Sequence, residues 1–237
     1  MRITHCRSYQ EMSDLAASLL MEELVNKPDL LLCSATGSSP EGLYRELIRT
    51  ARRERSLFKQ IRILKLDEWG GVPAYYPVTC DFYLRKKMLE PLEISKDRYI
   101  SFASDPEDPE AECQRIRSLL KKEGPIDICI LGLGRNGHLG LNEPAPELEL
   151  YCHLAELSED SLQHDMIISM DRKPKYGLTL GMQEILSSRK IIMLVSGKDK
   201  KFVAKKFLEA RVSTALPASL LHLHPDVECL VDQESLG

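Results

Sequence analysis

The densest concentration of chemistry in this sequence is Gly132-Leu133-Gly134-Arg135-Asn136-Gly137-His138-Leu139-Gly140-Leu141-Asn142-Glu143-Pro144. Its four closely spaced glycines suit a backbone folded tightly against a ligand. One titratable imidazole, His138, stands near one carboxylate, Glu143. A histidine held by a carboxylate can donate and accept protons near neutral pH. A lone histidine usually serves the fold; one inside a glycine-dense loop does so less often. The spacing does not match a dinucleotide-binding fingerprint, and no acidic residue stands where a ribose would need one.

Two further stretches carry reactive or anion-binding side chains. Leu66-Asp67-Glu68-Trp69-Gly70-Gly71 places two carboxylates at the end of an apolar run. Buried carboxylates are costly unless they pair or work. One of them could be a base tuned by partial burial. A helix cap or an ion pair to Arg or Lys is the plainer reading, and on this segment alone the better one. Ser34-Ala35-Thr36-Gly37-Ser38-Ser39-Pro40 joins an apolar run to a helical pattern. Gly37 lets the backbone approach a ligand. Thr36, Ser38 and Ser39 offer hydroxyls, and a helix N-terminus offers free N–H groups and positive dipole. That set suits a phosphate; a Ser/Thr-rich turn with a helix cap fits equally well. No Gly-Lys-Ser/Thr follows, so it is not a nucleotide P-loop.

The elements that must position these stretches form an alternating series. Apolar, β-rich runs occupy 29–33, 61–66, 126–131, 191–195 and 227–231, with weaker ones at 2–6 and 99–102. They are short and end in Gly, Asp or Ser, as strands buried on both faces do. Between them, Ser8 can cap a helix carrying Met12, Leu15, Leu19 and Leu20, and Pro40 can open one carrying Leu43, Leu47 and Ile48. Residues 108–122 and 199–209 read as charged amphipathic helices. Strands alternating with helices predict an α/β fold: one Rossmann-like, mostly parallel sheet with helices on both faces. We expect a single domain over 1–237, with about 140–175 as an irregular insertion.

Bulk composition limits the function classes. With 43% hydrophobic and 29% charged residues, the chain can bury a core without staples. A net charge of −4 argues against a nucleic-acid binder. No apolar run reaches the roughly 18 residues of a membrane span, and Met1-Arg2-Ile3-Thr4-His5 has no signal-peptide shape. The seven cysteines are odd in number and lack Cys-x-x-Cys spacing, so neither a zinc knot nor a disulfide framework is expected. A reducing, cytoplasmic setting follows. His222 and His224 read as surface or packing residues rather than metal ligands.

Together these motifs resemble the glucosamine-6-phosphate deaminases and, more closely, the galactosamine-6-phosphate isomerases of the same superfamily. The resemblance runs nearly end to end. It rests on Ala35 to Pro40, Leu66-Asp67-Glu68-Trp69, Gly134 to Pro144, Leu178-Thr179-Leu180-Gly181 and Leu194-Val195-Ser196-Gly197-Lys198-Asp199-Lys200. It implies that Thr36, Gly37, Ser38, Ser39 and Lys200 hold a sugar phosphate. It further implies that Asp67 moves a proton between C2 and C1, and that His138, oriented by Glu143, opens the sugar ring. No metal, nucleotide or redox cofactor is implied. The expected partner is an amino-sugar 6-phosphate, with neither nucleic acid nor membrane; assembly as a homo-oligomer stays open.

The chain departs from the glucosamine enzymes in three respects. Asn136 stands where many of them carry Asp, so Glu143 is expected to polarise His138 largely alone. An arginine that some of them use on the phosphate has no clear counterpart; His164, Arg172 and Lys175 are the candidates. Trp69 stands where they carry Tyr and Thr79-Cys80 where they carry Ser-Tyr, which predicts galactosamine 6-phosphate as substrate, with glucosamine 6-phosphate the alternative. A 6-phosphogluconolactonase is disfavoured by Trp69 and Asn142-Glu143-Pro144. A non-catalytic sugar-phosphate sensor is disfavoured by the joint presence of Asp67, His138 and Glu143, and 237 residues leave no room for an added DNA-binding unit.

Overall fold

A computed structural model describes residues 1–74, 76–162, 165–168 and 171–236. In chain order the first half runs β1 (Arg2–Cys6), α1 (Tyr9–Asn26), β2 (Leu31–Ser34), α2 (Ser38–Ala51), β3 (Arg62–Lys65), β4 (Asp67–Gly70), α3 (Cys80–Leu84), β5 (Tyr99–Ile100) and α4 (Pro109–Glu123). The second half runs β6 (Ile128–Gly132), β7 (His153–Ala155), α5 (Glu159–Leu162), α6 (Asp165–Ile168), β8 (Tyr176–Thr179), α7 (Met182–Leu186), β9 (Lys190–Val195), α8 (Lys201–Leu208) and β10 (Val227–Asp232).

Among the described residues seven strands form one wholly parallel sheet in the order β1-β10-β9-β6-β2-β3-β5. Alternation along each strand feeds two cores. Cys33, Cys129, Leu131, Met193 and Cys229 face the layer containing Cys113, Ile116 and Phe207 of α4 and α8. Leu32, Ile128, Ile130, Ile192 and Leu230 face Met12, Leu20, Leu43 and Leu47 of α1 and α2. Period-2 alternation with both faces apolar produces the continuous runs seen in the sequence. The helices start where their caps permit. Ser8 accepts the Glu11 N–H at 3.2 Å. Asp108 accepts the Glu110 and Ala111 N–H groups at 3.0 Å, with Pro109 at the first helical position.

The structure differs from the sequence reading in four places. Helix α2 begins at Ser38, two residues before Pro40, because the proline is tolerated anywhere in a first turn. The edge strand β5 is only two residues long. The charged stretch from Lys198 begins as a 3₁₀ turn through Lys200 before α8. The region expected as an irregular insertion instead contributes β7 to a second, antiparallel sheet in the order β4-β8-β7. Asp67-Glu68-Trp69-Gly70 is thus a strand rather than a loop, paired with β8 residues Thr179 to Tyr176.

The seven cysteines carry no disulfide. Among the described residues no helix is long and apolar enough to cross a membrane. Buried His224 donates Nε2–H to the Ser188 carbonyl at 2.7 Å, and His222 donates to the Phe207 carbonyl at 2.8 Å. Both rings are thereby fixed in packing roles.

Candidate active site

The direction of the chain reverses between β2 and β6. From β2 it proceeds outward to β3 and β5; from β6 it proceeds the other way, to β9 and β10. Loops leaving the carboxyl ends of two such strands diverge and open a crevice. Here the crevice is a cleft of about 600 Å³, within the size range of small-molecule sites. Thr36, Ser38, Asp67, His138 and Lys200 all line it. All three chemistry-bearing stretches therefore meet at one place.

The loop after β2 is shaped by hydroxyls taken from outside it. Tyr44 donates to the Ala35 carbonyl at 2.7 Å, Tyr83 to the Gly37 carbonyl at 2.7 Å, and Tyr9 to the Ser38 carbonyl at 2.6 Å. Three carbonyls are thus occupied by phenols. Gly37 caps α2 at φ 97°, a left-handed conformation that a side chain resists. No side chain caps the helix there, so its first N–H groups and their dipole remain for a ligand. Ser39 does not line the cleft; its hydroxyl is hydrogen-bonded to Ser196 at 2.9 Å. The Lys200 side chain is mostly buried and sits 3.6 Å from Asp199. It is not the exposed helix lysine that its run of charges would suggest.

Neither Arg172 nor Lys175 lines the cleft, and both are exposed; His164 lies outside the described residues. Arg45 and Arg135 line it instead. Arg135 is paired to Asp199 at 2.9 Å. Arg45 escaped the sequence reading, although Ser38, Glu41 and Arg45 recur at the three- and seven-residue spacing that shares one helix face.

The two adjacent carboxylates of β4 have opposite surroundings. Glu68 is fully buried and fully satisfied. It pairs with buried Lys65 at 2.5 Å and accepts the backbone N–H groups of Trp69, Cys80 and Asp81 at 2.8, 2.8 and 2.9 Å. It therefore caps α3 and neutralises Lys65, as the plainer sequence reading of these carboxylates held. Asp67 points to the cleft, with Oδ1 buried and unpartnered. Burial, reinforced by the charge of Glu68, raises its carboxyl to about 7 against the opposing pull of His138, Lys65 and a hydrogen bond from the Cys80 thiol. A carboxylate poised at neutral pH in a cleft is suited to general base work.

His138 is held from several sides. The glycine at 134 is required, since a Cβ there would fall 2.3 Å from the imidazole. His138 Nδ1 lies 3.4 Å from Glu143 Oε2, long for a hydrogen bond but within ion-pair range. Asn136 bridges the two residues: its amide donates to Glu143 Oε2 at 2.7 Å, and its carbonyl accepts the His138 backbone N–H at 3.1 Å. Burial opposes ionisation of Glu143. His138, then Ser161 and Asn136, outweigh it and hold the carboxyl down at about 2. Glu143 thus stays negative throughout the physiological range. Trp69 lines the cleft, whereas Cys80 is buried with its thiol 3.6 Å from Thr36 Oγ1 and does not.

The small sheet fixes the spacing between Asp67 and His138. Asp67 pairs with Thr179 in register, and Thr179 Oγ1 accepts the Leu141 N–H at 3.2 Å. Asn142 donates to the Leu139 and Leu180 carbonyls at 2.9 and 2.8 Å. Strand β8 thereby ties the Asp67 strand to the His138 loop. Among the described residues no cluster of His, Cys, Asp or Glu has the arrangement of a metal site.

Comparison with known proteins places this geometry in a family. Residues 7–230 match the model of the glucosamine-6-phosphate isomerases/6-phosphogluconolactonase family. The chain is 39% identical to a putative deaminase, AgaI, of Escherichia coli, over 95% of this chain and 89% of that one. It is also 39% identical to glucosamine-6-phosphate deaminase 1 of Bacillus subtilis, over 99% and 98%. Among solved structures it superposes on a monomeric glucosamine-6-phosphate deaminase with a TM-score of 0.93 at 38% identity, each chain covered in full. The 6-phosphogluconolactonase of Trypanosoma brucei, at 22% identity and a TM-score of 0.76, shares the fold. The chain belongs to the glucosamine-6-phosphate isomerase/6-phosphogluconolactonase family.

Proposed function

We propose that this protein is an amino-sugar-6-phosphate deaminase: a deaminating isomerase that converts a 2-amino-2-deoxyhexose 6-phosphate and water into a ketohexose 6-phosphate and ammonia. The observation that carries this reading is the pairing, in one cleft, of a carboxylate with one buried oxygen left without a hydrogen bond, Asp67, raised to about 7, with an imidazole backed by Glu143, which is ionised across the physiological range.

The phosphate docks at the N-terminus of α2, on Thr36, Ser38 and the N–H groups beyond Gly37, with Lys200 as counter-charge. Its binding energy fixes the far end of the sugar and positions C1 and C2. His138 delivers a proton to the ring oxygen, and Glu143 stabilises the charge the imidazole carries between transfers. Asp67 takes the C2 proton and returns a proton to C1. The amino aldose becomes the C2 imine of the ketose; water adds at C2 and ammonia leaves. Asn136 keeps Glu143 and the His138 backbone in register, so Glu143 does not orient the imidazole alone.

For the epimer, glucosamine 6-phosphate is the reading with the wider support, because the full-length relatives at 35–39% identity include several named for it. Galactosamine 6-phosphate remains a second reading on one observation, the cleft-lining indole of Trp69. The companion position, Cys80, is walled off and adds nothing to that reading. A site that hydrogen-bonds one C4 hydroxyl leaves groups unpaired with the other epimer, at a cost of orders of magnitude. Ammonia release from both sugars, measured side by side, tests the assignment. Release from neither would remove it; a higher kcat/KM for galactosamine 6-phosphate would select the second reading.

A further inference from the structure

The carboxylate of Glu143 is gripped at both oxygens, and the two grips come from different parts of the chain. Oε2 meets Asn136 and His138, which belong to its own loop. Oε1 accepts a hydrogen bond from the hydroxyl of Ser161, eighteen residues further on. Ser161 sits in the single turn of α5, is 2% exposed, and borders the cleft. Its backbone N–H donates to Ser158 Oγ at 3.1 Å, which anchors that turn. The preceding strand, β7, is bound to β8, the strand that also carries the partner of Asp67. The hydroxyl is therefore delivered by the same small sheet that spaces the base from the imidazole.

A carboxylate turns easily about its last side-chain bond. One donor on one oxygen leaves that rotation loosely fixed; a donor on each oxygen fixes the plane. We propose that Ser161 is a positioning residue of the reaction: its hydroxyl holds Oε1 so that Oε2 stays turned toward His138 and Asn136. It touches no reacting atom and acts through Glu143 alone. The consequence lies in the proton-transfer steps that His138 performs and not in substrate binding, since the phosphate contacts lie on α2 and at Lys200. The inference rests on the deaminase reading for its activity readout and on the Ser161–Glu143 contact for its structural one.

The test compares Ser161→Ala and Ser161→Thr with the parent enzyme on whichever amino-sugar 6-phosphate the parent turns over. Loss of a hydrogen bond to a charged group predicts about a tenfold or larger fall in kcat for Ser161→Ala, with KM within about threefold. Ser161→Thr keeps the hydroxyl and is expected to recover most of the loss. A kcat within about twofold of the parent, a loss confined to KM, or a threonine variant as impaired as the alanine one would each overturn the proposal. Should the parent release ammonia from neither sugar, the deaminase reading fails and the contact is read directly. The carboxyl ¹³C signal of Glu143, identified by its loss in Glu143→Gln, is then titrated in parent and Ser161→Ala. Removing the donor moves the titration to higher pH; superimposable curves overturn the proposal.

Discussion

Asp67 and Glu68 are neighbours on one strand and point to opposite faces. Glu68 enters a bed in which every oxygen is used, by Lys65 and three backbone N–H groups. Asp67 enters the cleft with one oxygen buried and unanswered. The fold spends strong interactions on the first carboxylate and withholds them from the second. A buried charge that is fully paired supports the structure, and its partners keep it inert. A buried charge left short of partners destabilises the fold and binds protons near neutrality, which is what a base requires. The bed beneath the cleft and the floor of the cleft thus divide structure from chemistry across one peptide bond.

The largest expected effect would come from breaking the bed. Glu68→Ala strands the Lys65 ammonium in the core and leaves the Cys80 and Asp81 N–H groups at the start of α3 without their acceptor. It is expected to cost about 3–5 kcal/mol, read as a large fall in the denaturant midpoint. An unchanged midpoint would mean that Glu68 is not the structural member of the pair.

Asp67→Asn should act in the opposite sense on stability. It removes the base, so turnover is expected to fall roughly 100-fold or more while substrate still binds. The folded carboxyl titrates near 7, above its unfolded value near 3.9. The folded state therefore holds the extra proton between those values, and the stability contributed by the group declines as pH rises through that window. Above 7 the penalty is complete, at most about 4 kcal/mol. The variant should melt at a higher temperature than the parent at pH 8, and the gap should close toward pH 4. Lower stability at pH 8 would show that Asp67 is satisfied after all.

These contrasts were only partly legible in the sequence. The strands β2, β3, β6, β9 and β10 announce themselves because both of their faces are buried, and the three key stretches stand out because glycine, hydroxyl and carboxylate cluster at their ends. The small antiparallel sheet does not announce itself. Its strands are three or four residues long, and Asp67-Glu68-Trp69-Gly70 shows no apolar alternation; pairing with distant residues makes it a strand. The family resemblance singles out Asp67, but the residues alone do not distinguish it from Glu68, since the difference depends on Lys65 and on backbone N–H groups twelve and thirteen residues away. Nor could spacing bring Ser161 to Glu143.

Smaller effects are expected at the rim. Lys200→Ala and Ser38→Ala should each raise KM for the phosphorylated sugar about tenfold, the scale of a charge-assisted hydrogen bond, with kcat little changed. Unchanged KM in both would place the phosphate elsewhere. The smallest effect is expected for Asn136→Asp. Because Asn136 donates to Glu143 at 2.7 Å, the change sets two carboxylates side by side, and one must keep a proton to act as donor. A few-fold loss of kcat, growing as pH rises, is expected. A flat difference across pH would uncouple position 136 from Glu143.

The central claim, deamination driven from the Asp67 side of the strand, is tested most directly by product balance. Glucosamine 6-phosphate and galactosamine 6-phosphate are each incubated with the parent enzyme and with Asp67→Asn, and ammonia and ketohexose 6-phosphate are counted together. Equal amounts of both products are expected from at least one sugar with the parent, and both are expected to form roughly 100-fold or more slowly with the variant. Hydrolysis of 6-phosphogluconolactone without ammonia from either amino sugar, or undiminished ammonia from Asp67→Asn, would contradict it.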